Sequence, residues 1–115
     1  MSSADIAPRN LQKGSAEMIL LALLEIRPRH GYELAKLIAS ESDSRLQFHV
    51  ASLYPMLYRL ERKRLVEGCW VEKPGERRRR FYRLTPLGRR TLAARRRTWR
   101  EFVDALNRLT GFSHA

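Results

Sequence analysis

Apolar positions along the chain form several segments with helical spacing. Residues 18–26, MILLALLEI, are apolar on nearly every side, which is typical of a helix buried at the centre of a domain. Ser15 is the predicted N-cap, and Pro28 ends the helix because proline disfavours helical geometry in the residue before it. The pattern predicts a first helix over residues 15–26.

Residues 30–40, HGYELAKLIAS, form a second segment with helical spacing. We expect Glu33, Lys36 and Ala39 on its exposed side. The side predicted to be buried consists of Tyr32, Leu34, Ala35, Leu37 and Ile38.

The stretch HVASLYPMLYRLERKRLVEG, residues 49–68, has leucines on one side and tyrosine, arginine and lysine on the other. Leu53, Leu57 and Leu60 recur at helical spacing, which predicts a face on the core. A proline costs about 3 kcal/mol inside a helix, whereas in the first turn its missing N–H is no loss. We therefore expect a third helix that begins close to Pro55, capped by Ser52 or the residues just before it.

After Leu65 the helical spacing stops. VEGCWVEK and RRFYRLT contain β-branched and aromatic residues, and PGE between them indicates a turn, so we expect a two-stranded hairpin. Thr85 and Pro86 provide an N-cap followed by proline at the first helical position. They predict a final helix from Pro86 to about Leu109, ended by Gly111.

The final helix has more apolar residues than a helix on the edge of a small domain needs. An exposed apolar stripe of this size marks an interface, so we expect the helix to form a homodimer. The predicted interface residues are Trp99, Phe102, Val103, Leu106 and Leu109.

Positive charge is concentrated in one part of the chain. The net charge is +11, and residues 59–100 hold sixteen basic and four acidic side chains, a net +12. Residues 1–58 hold six of each kind. This concentration favours a polyanionic partner, either nucleic acid or an acidic membrane surface.

The sequence offers few residues for catalysis or metal binding. His30, His49 and His114 lack metal-ligand spacing, and no glycine-rich phosphate loop or Ser-His-Asp set can be assembled. We therefore expect no metal, no cofactor and no enzymatic activity. The single cysteine, Cys69, cannot form an intramolecular disulfide, which favours a reducing cytoplasm.

The chain has the size of one domain, and its apolar fraction of 43% is typical of a globular protein. The longest apolar run is far shorter than the roughly 20 residues that span a bilayer, and the N-terminus lacks a signal-peptide layout. We expect a soluble cytoplasmic protein with no membrane partner.

Three helices followed by a basic hairpin is the element order of a winged helix-turn-helix, a mainly α fold with a small β-hairpin. The predicted organisation is a flexible N-terminal arm (1–14), a winged helix-turn-helix domain (15–85), a C-terminal dimerisation helix (86–110) and a flexible tail (111–115). In this fold the third helix enters the major groove of double-stranded DNA and the hairpin, or wing, touches the backbone or minor groove.

The candidate DNA contacts come from the third helix and the wing. The start of the helix usually reaches the bases, so its later basic residues are better candidates for phosphates. Ser52, Tyr54 and Tyr58 could equally be cap and packing residues, and the arginine run could be a solvated charge run. The candidates are Ser52, Tyr54, Tyr58, Arg59, Arg62, Lys63, Arg77, Arg78, Arg79 and Arg80.

Four stretches in this order resemble the PadR-type transcriptional regulators: ILLALLEIRPRHGYELAKLI, ASLYPMLYRLERKRLVEG, RRRRFYRLTPLGRR and RRRTWREFVDALNRL. They extend over residues 15 to about 110. The resemblance implies a dimeric DNA-binding winged helix whose C-terminal helix pairs the subunits, often a repressor released by a small molecule. It also implies that Trp99 either belongs to the dimer core or lies in a pocket for a flat aromatic effector between subunits.

The predicted function is therefore a sequence-specific transcriptional regulator, a repressor that binds an inverted-repeat operator as a homodimer. The alternative is a nucleic-acid-binding or architectural protein without a regulatory ligand. A footprint would separate the two, because a regulator protects a short inverted repeat.

Overall fold

Four helices and a three-stranded antiparallel sheet follow one another in the computed structural model, which describes residues 9–111. The elements are α1 Arg9–Ile26, β1 Arg29–His30, α2 Gly31–Glu41, α3 Val50–Arg62, β2 Val66–Val71, β3 Arg79–Leu84 and α4 Pro86–Thr110. Their order confirms the predicted winged helix-turn-helix followed by a C-terminal helix.

Helix α1 begins at Arg9 and includes Ser15, so the prediction of Ser15 as the N-cap is wrong. A serine cap contributes only about 1 kcal/mol, which is too little for one cap signal to fix a boundary. Residues 9–14, part of the predicted flexible arm, are helical. Residues 1–8 and 112–115 lie outside the described residues, and the predictions for them stay predictions.

Helix α3 begins at Val50, with His49 as N-cap, so Pro55 is not in the first turn and Ser52 is not the cap. Because proline has no N–H, the usual bond to the carbonyl of Ala51 cannot form. Ala51 and Pro55 are both exposed, so solvent can bond to that carbonyl. Exposure explains why the helix extends ahead of its proline.

Strand β1 is not among the elements that the sequence predicts, because two residues are too few to show a strand pattern. It pairs with β3, with Arg29 opposite Tyr82 and His30 opposite Phe81. The chain between α1 and α2 therefore adds a third strand to the hairpin.

The buried side chain of Arg29 holds this short strand in place. Its Nε donates to the Leu23 carbonyl at 2.9 Å, and its Nη1 donates to the Glu33 carboxylate at 3.0 Å. One arginine thus joins the end of α1 to the start of α2.

The core surrounds α1, and the predicted leucine stripe of α3 is confirmed. Leu53, Leu57 and Leu60 are fully buried. They pack in one cluster that also contains Leu20, Leu21, Leu24, Leu34, Ile38, Leu65, Val66, Tyr82, Leu84 and Leu92.

Helix α2 buries Leu34 and Ile38 as predicted, whereas Tyr32 is 57% exposed, so its assignment to the buried side is wrong. Two residues along a helix correspond to about 200° around its axis. Tyr32 therefore lies opposite Leu34 and on the same side as exposed Lys36.

Strands β2 and β3 form the predicted hairpin over their full length. Tyr82 and Leu84 of β3 are buried against the core. Alternate residues of a strand lie on the same face, so Arg80 lies on this inner face too. Gly68 and Trp70 of β2 stand opposite Tyr82 and Arg80 and share the inner face.

Helix α4 is fixed to the domain by its first two turns. The Thr85 hydroxyl accepts a bond from the Gly88 N–H at 2.9 Å, which confirms the predicted start. A Cβ on Gly88 would lie 2.1 Å from the Leu65 carbonyl oxygen, so only glycine allows this close approach. The helix ends before Gly111, which has left-handed backbone geometry, as predicted.

Candidate nucleic-acid interface

The outer side of α3 carries polar and basic side chains. Ser52, Tyr58 and Arg62 are exposed, and Arg59 is half-buried. A shallow recess of about 520 Å³ lies along this side. Pro55, Tyr58, Arg59, Glu61 and Arg62 line it.

A second recess of about 500 Å³, here named the basic groove, lies between α3, the start of α2 and the wing. Arginine side chains can bind phosphate oxygens, and aromatic rings can pack on sugars and bases. The lining contains His30, Tyr32, Tyr54, Tyr58, Trp70, Arg77, Arg78, Arg79 and Arg80. It thus brings six of the ten predicted DNA contacts together.

Sequence reasoning missed three residues of the basic groove: His30, Tyr32 and Trp70. Tyr32 could have been found from its helical angle relative to Leu34, and Trp70 from its place on a strand beside an arginine run. His30 has no such signal, because its position depends on the unpredicted strand β1.

Tyr54 is half-buried and supports the start of α2. A Cβ added to Gly31 would lie 3.0 Å from Cζ of the Tyr54 ring and 3.2 Å from its hydroxyl oxygen. Tyr54 therefore packs closely on the α2 backbone while it lines the groove, a contact that favours positioning over base reading.

Trp70 is 50% exposed and lies beneath an arginine of the wing. The guanidinium carbon of Arg78 lies 4.5 Å from the centre of the Trp70 ring, within cation–π range. Arg78 also forms an ion pair with Glu72 at 3.5 Å. The ring holds one cation of the wing over the basic groove.

Arg80 differs from its neighbours because its side chain points to the inner face of the wing. Its Nη2 lies 2.7 Å from Oε2 of Glu61 on α3, and the two side chains are 20% and 29% exposed. Its guanidinium also covers Gly68, where a Cβ would lie 2.4 Å away. These contacts favour a structural role for Arg80 rather than the predicted phosphate contact.

Tyr82 lies beside Arg80 on the inner face. Burial raises the pKa of Tyr82, an effect that neighbouring Arg80 opposes. Its phenol therefore stays neutral at physiological pH.

His30 and Arg79 meet at the edge of the basic groove. Nδ1 of His30 accepts a bond from the Glu33 N–H at 3.2 Å and caps α2. Nε2 of the same ring lies 3.1 Å from Nη1 of Arg79. Burial lowers the pKa of His30, and the charge of Arg79 lowers it further, while Glu33 opposes the shift.

Lys63 faces away from the basic groove. Its Nζ lies 3.4 Å from a Glu17 carboxylate oxygen on α1. Glu17 also pairs with Arg95 on α4 at 3.2 Å. This triad joins the end of α3 to α1 and α4, so the predicted phosphate contact of Lys63 competes with an ion pair inside the chain.

The second half of α4 exposes the predicted apolar stripe. Trp99 and Leu106 are partly buried, whereas Phe102, Val103 and Leu109 are exposed, Leu109 by 85%. The Trp99 and Phe102 rings meet edge to face with their centres 6.0 Å apart. Among the described residues, only Gly88 and Leu92 of this helix are buried in the domain.

No helix within residues 9–111 combines the length and apolarity needed to cross a membrane. In the same range, His, Cys, Asp and Glu side chains form no group that could hold a metal ion.

The sequence and fold of the chain are similar to those of known proteins. Residues 20–94 match the model of the Transcriptional regulator PadR-like family. The chain is also 28% identical over 95 residues to an uncharacterised protein of Lysinibacillus sphaericus, an alignment that spans 83% of this chain and 87% of that protein.

Solved structures of transcriptional regulators have the same fold. One from Clostridium thermocellum superposes with a TM-score of 0.81 at 25% identity, over 90% of this chain and 97% of that one. A PadR family transcriptional regulator from Eggerthella lenta superposes with a TM-score of 0.77 at 29% identity, over 90% of this chain and 88% of the other.

Proposed function

Because the chain belongs to the PadR-like family of transcriptional regulators, we propose that it is a repressor that binds an inverted-repeat operator as a homodimer. We place its action in the cytoplasm.

The observation that carries this proposal is the common surface formed by α3 and the wing. The exposed side of α3 offers Ser52, Tyr58 and Arg62, and the adjoining wing offers Arg77 and Arg78. A helix of this width fits the major groove, while the wing arginines lie where phosphates of the flanking backbone would pass. We propose that Ser52 and Tyr58 contact bases and that the arginines contact phosphates. Arg59 would bind the same DNA strand as its neighbour Arg62.

The apolar stripe of α4 supports the homodimer. Phe102, Val103 and Leu109 are exposed on one side of a helix whose start is fixed in the domain. Two-fold pairing through this stripe would bury it and would hold the α3 helices of the two subunits in a fixed arrangement. In helix-turn-helix dimers such copies reach half-sites about 34–36 Å apart, one turn of DNA.

We further propose that a flat aromatic effector binds between the subunits beside Trp99 and releases the operator. The Trp99 ring is partly buried next to Phe102, and its remaining surface can stack on a planar ligand. Quenching of Trp99 fluorescence by a planar aromatic dye tests this step, with Trp70→Phe to remove the second tryptophan. Undiminished fluorescence at saturating dye would leave Trp99 as part of the dimer core only.

Footprinting on the DNA upstream of the protein's own gene tests the proposed function. We expect protection of a short inverted repeat at physiological salt. Uniform weak protection along the fragment would instead favour an architectural nucleic-acid-binding protein. Transcription from the same promoter should fall when the protein is added. A rise in transcription would overturn the assignment as a repressor.

A further inference from the structure

The His30 ring lies between two hydrogen-bond donors. Its Nδ1 faces the Glu33 backbone N–H at 3.2 Å, and its Nε2 faces Nη1 of Arg79 at 3.1 Å. A guanidinium has no acceptor, and a backbone N–H has none either. Both neighbours of the imidazole therefore require an acceptor from it.

A neutral imidazole has only one acceptor nitrogen, so it cannot satisfy both donors. When Nδ1 caps α2, Nε2 carries the proton and points an N–H at the Arg79 guanidinium. When Nε2 accepts from Arg79, the Nδ1 proton points at the Glu33 N–H and the cap is lost. The imidazolium carries a proton on both nitrogens, so it can accept a hydrogen bond from neither neighbour.

The capping tautomer is the favoured one. A lost N-cap costs about 1 kcal/mol, whereas the Arg79 side chain is exposed and can turn its other donors to water. Burial and then the charge of Arg79 lower the pKa of His30, with Glu33 opposing and Arg27 adding to the shift. The ring is therefore neutral at physiological pH and presents an Nε2–H beside a guanidinium.

We propose that His30 Nε2–H and the Arg79 guanidinium together bind one phosphate oxygen of the DNA backbone. The inference rests on the proposed function, because it assigns one anchor of the same interface. An anionic oxygen accepts from both groups at once, and so it replaces a donor–donor contact with two charge-assisted hydrogen bonds. Both side chains line the basic groove and also a neighbouring recess with Tyr32 and Lys36, which leaves them open to a passing strand.

The start of α2 adds to the same site. His30 is its N-cap, so the positive end of the helix dipole lies beside the ring. The lining of the basic groove contains no acidic side chain, and Glu33 in the neighbouring recess is paired with Arg29 and Arg27. Glu76 lines a third recess with the pair, where Lys73 and Arg77 accompany it.

His30→Asn separates the cap from the phosphate contact. Asparagine is a good N-cap and keeps the bond to the Glu33 N–H, but its short side chain cannot carry an N–H to the Nε2 position. His30→Ser, another good cap, serves as a second variant in case the first is poorly folded. Arg79→Ala removes the partner donor, and Arg90→Ala on α4 is the matched control for loss of one arginine charge.

The test measures binding of each variant to a 30-base-pair duplex of arbitrary sequence over a range of salt. We expect His30→Asn to weaken binding about tenfold with an unchanged salt slope, because a neutral donor releases no counterion. Arg79→Ala should also flatten the slope by about 0.9 for each protomer. In the Arg79→Ala background, His30→Asn should cost clearly less than tenfold, because both donors hold the same oxygen.

Nitrogen-correlated NMR of the His30 ring gives an independent readout. We expect the Nε2–H tautomer in the free protein and a large shift of the Nε2–H signal on addition of the duplex. Inorganic phosphate at equal ionic strength should shift it far less if a DNA strand is the ligand; an equal shift would overturn the DNA assignment. The shared site would be overturned if folded His30 variants bind DNA like the wild type, or if the losses in affinity of His30→Asn and Arg79→Ala are fully additive. A wild-type protein that binds no DNA would instead overturn the proposed function itself.

Discussion

The carboxylate of Glu61 on α3 accepts a 2.7 Å bond from the guanidinium of Arg80 on β3. The same oxygen of Glu61 accepts the Gly68 N–H of β2 at 3.2 Å. A single acidic side chain therefore connects the helix to both strands of the wing, and it fixes the angle between the two proposed DNA-binding elements.

Glu61→Gln should destabilise the fold, because it leaves the partly buried Arg80 charge without its counter-charge. Breaking a buried pair costs 3–5 kcal/mol, and the partial exposure of this pair reduces the expected loss to about 1–2 kcal/mol. Urea denaturation measures it. Glu67→Gln is the matched control, because its pair with Arg83 is exposed to solvent and should contribute much less to stability. Equal losses in the two variants would contradict the coupling role of Glu61.

Replacing Arg77 and Arg78 together with alanine should weaken binding to all DNA sequences alike. Each lost phosphate contact should flatten the dependence of log affinity on log salt by about 0.9. Arg83→Ala, on the other face of the wing and paired with Glu67, should leave that slope unchanged. If the double variant has the salt slope of the wild type, the wing tip does not belong to the DNA interface.

Tyr58→Ala and Tyr54→Ala should have different effects. Tyr58 is exposed on α3, so its loss should change the preferred bases at one or two positions by about 1–3 kcal/mol. Tyr54 packs on Gly31, so its loss should lower the unfolding free energy and weaken all sites equally. Binding to a panel of operator variants, together with thermal unfolding, distinguishes the two; a change of preference in Tyr54→Ala alone would reverse the assignment.

Phe102→Glu combined with Leu106→Glu should produce a monomer, because it places like charges in the proposed apolar seam of α4. Sedimentation at tens of micromolar measures the change. Ala93→Glu with Arg97→Gln makes the same change of two charge units on the opposite, exposed side of α4 and should leave a dimer. A wild-type chain that sediments as a monomer would refute the dimer and the effector site at Trp99.

Stability should fall as the pH drops below about 6.5 because of His30. Its pKa in the folded protein is lowered from 6.5 by burial and by Arg79, against the opposing charge of Glu33. The unfolded chain therefore binds the proton first, and the contribution that is present above pH 6.5 is lost as the pH falls toward the folded pKa. Unfolding free energies between pH 7.5 and 5.5 should decline less in His30→Asn; identical profiles would contradict the shift.

Sequence patterns predicted the parts of the fold whose signal is repeated. The α3 stripe recurs through Leu53, Leu57 and Leu60, and the start of α4 is specified twice, by Thr85 and Pro86. Each repeated signal combines several contributions that favour the same element. The start of α1 relied on one serine, and there the prediction was wrong.

Within the interface, sequence located the segments better than the individual side chains. The four wing arginines look equivalent as a run, yet strand alternation from Tyr82 and Leu84 places Arg80 on the inner face. In sequence, Lys63 resembles a groove residue at the end of α3, but in the fold Glu17 of α1 lies beside it. The His30–Arg79 pair joins residues far apart in sequence across a two-residue strand, which no local pattern records.

Selection of binding sites from a pool of random duplexes tests most directly whether the chain is a sequence-specific dimeric regulator. We expect enrichment of two half-sites related by two-fold symmetry, with their centres about 10 base pairs apart. Enrichment of a single unrepeated half-site would contradict the dimer, and a pool that stays random while the protein remains bound would contradict sequence-specific regulation.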